Sequence, residues 1–134
     1  MMIGERFPAR VEALLGLRAG RVLDLGSVGL SADEVRAGAP YDTVVSIGVL
    51  GEVDDLDAIV TVLAEVLAPD GRLLFAELEP KSARWGRAPS PDVRAALWRN
   101  GFTVVDARPW RRRRTPTVIG GVARLTPAGA VTRS

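Results

Sequence analysis

The stretch from Tyr41 to Glu77 constrains the fold of this 134-residue chain more than any other part of it. Tyr41-Asp42 lead into Thr43 to Ile47, a β-branched, apolar run that reads as a strand. From Asp54 to Ala68, Leu56, Ile59, Val60, Leu63, Val66 and Leu67 recur every three or four residues behind an acidic first turn, the spacing of an amphipathic helix. Pro69-Asp70-Gly71 then predicts a tight turn, with Gly71 supplying the positive φ common at a helix end. Arg72 to Glu77 follows as another apolar strand. Strand, helix, strand in so short a span implies two parallel strands joined by a right-handed crossover. Runs that are apolar throughout imply a sheet buried on both faces.

The rest of the chain fits around this unit. Residues 5–18 carry Phe7, Val11, Leu14 and Leu15 at helical spacing, with Pro8 suited to a first turn. Arg21 to Leu25 is a short apolar run ending in Gly26, a buried strand feeding a turn. Ser31 followed by Glu34 has the form of a capping box, predicting a short helix from Ser31 to Ala37 before Gly38 and Pro40 stop it. Residues 79–91 read as a loop, and Ser90-Pro91 as the start of a helix over Asp92 to Asn100 that Asn100-Gly101 closes. Phe102 to Ala107 and Thr117 to Leu125 are strand-like and are expected to pair as an antiparallel ribbon. The expected organisation is one domain over residues 1–126 with a flexible polar tail over 127–134.

Composition removes much chemistry. There is no cysteine and no histidine, so no disulfide framework, no thiolate metal site and no imidazole base; no metal is expected. The net charge is only +2, and Lys81 is the only lysine among 18 basic residues. Arg111 to Arg114 form the one dense basic run, read as a solvated turn, and nucleic acid is not an expected partner. No apolar stretch nears the roughly 20 residues of a membrane helix, and no basic segment followed by an apolar run opens the chain, so the expectation is a cytoplasmic protein without membrane contact.

Val22-Leu23-Asp24-Leu25-Gly26 resembles the start of the glycine-rich first motif of class I S-adenosylmethionine-dependent methyltransferases. The order of elements from Tyr41 onward is similar to the second half of small-molecule methyltransferases, over about 85 residues, through the Leu-Ala-Glu-Val-Leu-Ala-Pro-Asp-Gly run and Asn-Gly-Phe-Thr-Val-Val. The resemblance implies an α/β, Rossmann-like, mostly parallel sheet of about five strands, with helices on both faces and a C-terminal antiparallel strand pair. It also implies S-adenosylmethionine as cofactor. Asp24, Gly26, Ser27 and Gly29 would touch it, and Ser46, Ile47 and Gly48 would border its methionine end. Glu52 stands near where related sequences often carry a histidine and is the candidate catalytic base or acceptor-orienting residue, set against its plainer role in an acidic helix start with Asp54 and Asp55.

Two departures from the family pattern stand out. Val28 and Leu30 occupy positions where the family usually has glycines. The interval from Asp24 to Asp42 is too short for the crossover helix, two strands and further helix that the family places there, so its strands 2 and 3 are expected to be missing. Asp33 and Glu34 are the only acidic residues left in that interval to serve the ribose, and capping a short helix is their plainer role. The first strand then becomes a sheet edge, which invites pairing with another chain or cover by the N-terminal helix. Two functions follow: a methyltransferase-like protein acting on a small-molecule acceptor, or a catalytically inactive, methyltransferase-like interaction subunit. The second would form a homodimer or pair with a protein partner at the first-strand edge, with Trp85, Trp98 and Trp110 as contact residues.

Overall fold

The computed structural model describes residues 3–26, 31–50, 53–78, 93–112 and 117–127. Among them, β1 (Val22–Asp24), β2 (Tyr41–Ile47), β3 (Leu67–Leu78), β4 (Phe102–Trp110) and β5 (Val118–Leu125) form one sheet in the order β1-β2-β3-β5-β4. The first three strands are parallel, and β5 runs antiparallel to both β3 and β4. β1 therefore lies at one edge of the sheet and β4 at the other. The expected parallel core, C-terminal ribbon and edge position of the first strand are all present.

The helices are α1 (Ile3–Arg6), α2 (Pro8–Leu15), α3 (Ala32–Arg36), α4 (Leu56–Val66) and α5 (Val93–Arg99). Side-chain alternation along the central strands divides the core in two. Val44, Leu73, Phe75 and Ala123 pack with Val35, Ile59, Leu63 and Leu97 from α3, α4 and α5. Val45, Leu74, Ala76 and Val118 pack with Ile3, Phe7, Leu14 and Trp110. Helices thus cover both faces. The N-terminal cluster contains no β1 residue, and Val22 remains 39% exposed, so the N-terminal helices do not shield that strand.

Three local departures have physical causes. The helix expected over residues 5–18 divides at Phe7, whose φ of −131° and ψ of 57° leave the helical region. A residue before proline is pushed out of the α region, and Pro8 opens a second helix. Helix α4 stops at Val66, and Leu67 is already extended and paired with Tyr41. Residues 68–71 therefore bow out opposite Asp42 as an irregularity within β3, and Gly71 does not take positive φ. What Gly71 provides is room, since a Cβ there would sit 2.7 Å from the Leu67 side chain.

Loops and helix ends are held by identifiable contacts. Asp55 caps α4 by accepting the Ala58 N–H at 3.0 Å, and Ser31 caps α3 by accepting the Glu34 N–H at 3.2 Å. Asp57 joins α4 to the end of α5 through Arg99, at 3.1 Å, and the Asn100 amide, at 2.8 Å.

Candidate functional site

The three parallel strands deliver their carboxyl ends to one side of the molecule, where open α/β sheets bind ligands. β1 ends at Asp24, followed by Leu25 and Gly26; β2 ends at Ile47 and Gly48; β3 brings Glu77 alongside them. Asp24 is exposed, and its carboxylate accepts the Gly26 N–H at 2.9 Å, closing the first turn of the loop that follows. Among the described residues, a Cβ at Gly26 would meet only that same carboxylate, at a close 3.3 Å.

Gly48 adopts a φ of +71°, a conformation that L side chains rarely take, and this turns the chain sharply off the end of β2. Its N–H donates to the Ala76 carbonyl at 2.8 Å, and the Ile3 side chain lies over it. Ile47 is half-buried against the N-terminal cluster. Ser46 has no exposed surface, and its hydroxyl donates to Glu77 Oε2 at 3.1 Å. The hydroxyl therefore anchors β2 to β3 beneath the carboxyl edge.

Asp24, Gly26, Ser46, Ile47 and Gly48 are thus brought to one edge of the sheet. Ser27, Gly29 and Glu52 lie outside the described residues, as do Val28, Leu30 and Trp85. Sequence reasoning missed Glu77, only 2% exposed at the end of a central strand. Its signal was a carboxylate two residues after Phe75 on the same buried face, where a charge is costly unless held by hydrogen bonds.

The described residues fit one end of S-adenosylmethionine and not the other. An exposed carboxylate beside a glycine turn suits the cationic methionine end. The ribose end lacks the usual support, because among the described residues no strand lies beyond β1 to present a carboxylate to its hydroxyls. Asp33 and Glu34 sit exposed in the first turn of α3, where the Glu34 N–H closes the Ser31 cap.

A second feature flanks this edge. A cleft of about 510 Å³ opens between the first turns of α3 and α4, with Ala32 on one side and Val53, Ala58, Ile59 and Val62 on the other. Asp54 and Asp55 also line it. Among the described residues no group of three or more acidic side chains is arranged to hold a metal ion, and no helix is long and apolar enough to cross a membrane.

No family model matches the chain, and no curated protein sequence does. Solved structures do. The N-methyltransferase NodS from Bradyrhizobium japonicum WM9, in complex with S-adenosyl-L-homocysteine, superposes with a TM-score of 0.56 at 20% identity, over 67% of this chain and 48% of that one. The trans-methyltransferase CalH with S-adenosylhomocysteine gives 0.57 at 21% identity, over 74% of this chain and 35% of that one. The magnesium protoporphyrin IX methyltransferase ChlM from Synechocystis PCC 6803, with bound S-adenosylmethionine, gives 0.56 at 18% identity, over 90% and 78%. The chain spans about half the length of NodS and a third of that of CalH. At these identities the likeness establishes the fold alone, which is class I S-adenosylmethionine-dependent methyltransferase-like.

Proposed function

We propose that this chain is an S-adenosylmethionine-dependent methyltransferase-like protein acting on a small molecule, with the cofactor's methionine end at the carboxyl edge of β1 and β2. The observation that carries this reading is the pair of glycine turns there: Gly26 beside the Asp24 carboxylate, and Gly48 at positive φ next to it. Asp24 would face the cationic end of the cofactor, and Gly26 and Gly48 would leave its backbone path clear. Ser27 and Gly29 follow Gly26 in sequence and would also touch the cofactor. Ser46 and Glu77 hold the end of β2 in register, so that Ile47 and Gly48 keep their place. Glu52, just after that turn, is the residue assigned to orient or deprotonate the acceptor. The bound cofactor would supply the electrophilic methyl group; the protein's share is largely to hold acceptor and sulfonium in line.

Calorimetric titration with S-adenosylhomocysteine tests this reading. Micromolar affinity, weakened in Asp24→Asn, is the expected result. No heat at millimolar ligand overturns it as a self-sufficient enzyme.

A second reading is favoured by one observation, the edge position of β1 with Val22 exposed. In it, the chain is a non-catalytic subunit whose first strand pairs with a second copy or a partner chain. Light scattering across a concentration series separates the two, since a clean monomer at high concentration removes the homodimer.

A further inference from the structure

The cleft between α3 and α4 has a chemical character of its own. Its floor is aliphatic, because Ile59 and Val62 are 6% and 7% exposed, and the half-buried Ala32 and Val53 form its sides. Its rim is anionic, because the exposed residues lining it are Asp54, Asp55 and Ala58. At about 510 Å³ it falls within the roughly 300–1,000 Å³ of small-molecule sites.

The two carboxylates are differently placed. Asp55 is engaged as the cap of α4, so one of its oxygens already accepts the Ala58 N–H. Asp54 is fully available at the rim, with no hydrogen bond or ion pair among the described residues. The basic residue nearest in sequence to this side, Arg36 on α3, is drawn away to Glu65 at 2.9 Å. Among the described residues no cation lines the cleft, in a chain whose overall charge is +2. Aliphatic walls under an anionic rim complement a small apolar group that carries a positive charge.

We infer that this cleft is a binding site for a small hydrophobic amine in its protonated form, the apolar body lying on Ile59 and Val62 and the ammonium at Asp54. The described lining of the cleft shares no residue with the carboxyl-edge positions given to the cofactor, and its test needs no cofactor.

Benzylammonium and its neutral counterpart benzyl alcohol are the probes, each titrated at neutral pH onto the 15N-labelled protein. Benzylammonium is expected to shift the Ala58, Ile59 and Val62 amides saturably, and benzyl alcohol to bind about two- to fivefold more weakly, as suits one exposed charge contact. Asp54→Asn should erase that preference while leaving the rest of the spectrum in place. Ala58→Leu, which fills the cleft from an exposed helical position, should abolish the shifts for both probes. Equal binding of amine and alcohol, a preference that survives Asp54→Asn, or the lack of any saturable shift at these amides overturns the inference.

Discussion

Thr43 has no exposed surface, and its hydroxyl meets both polar groups of Ala19, donating to the carbonyl at 2.7 Å and accepting the N–H at 3.0 Å. One side chain thus secures the turn that feeds β1 to the middle of the sheet. Thr43→Val keeps the shape and removes both bonds, leaving the Ala19 groups without partners. The expected loss is about 1–3 kcal/mol of unfolding free energy, read by urea titration. Asp57 offers a residue-scale test by pH. Its carboxyl is held below the ordinary value of 3.8, first by the hydrogen bond from Arg99 and then by that from Asn100. A depressed folded-state value means that the contribution is present above the ordinary value and is lost as pH falls through the lowered one. Asp57→Asn should therefore flatten the acid limb of the stability curve below about pH 4 and leave its shape near neutrality unchanged.

Among the elements, the C-terminal ribbon carries the closest approach. The Trp110 indole lies directly over Gly120, where a Cβ would collide with the ring, and Trp110 in turn meets Phe7 with ring centroids 5.9 Å apart. The ribbon and the N-terminal helices are therefore one packed unit. Gly120→Ala should cost about 1–3 kcal/mol in denaturant unfolding by displacing that ring. None of this coupling could be read along the sequence, where Phe7, Trp110 and Gly120 are far apart. What local signals did reveal was the five strands and the α3, α4 and α5 helices of the described residues, through buried runs, three-to-four spacing and cap residues. They missed the break at Phe7, where the proline effect on the preceding residue outweighed an unbroken apolar pattern. They also placed a tight turn at Gly71, because helix-end chemistry was read without the pairing of Leu67 with Tyr41 that draws the chain straight into β3. The candidate site was legible to the same degree. Asp24, Gly26 and Gly48 announced themselves by strand ends, whereas Glu77 and the α3–α4 cleft depend on which faces meet, which no single run discloses.

For the whole molecule, the sheet order among the described residues places β1, an edge strand paired only with β2, beside the proposed cofactor site. Whatever completes the ribose side must approach across that edge, since the described residues provide no strand there. Fold and edge together account for why the methionine end is recognisable and the ribose end is not. On the proposed reading, partial support of the cofactor predicts binding weaker than a full site gives, because hydrogen bonds left unmade at one end are not recovered at the other. The most direct measurement is an amide shift map of the 15N-labelled protein with S-adenosylhomocysteine. The account predicts saturable shifts at Gly26, Ile47 and Gly48, with the β4–β5 ribbon unaffected. No shift at millimolar ligand, or shifts confined to residues away from the ends of β1 and β2, would contradict it.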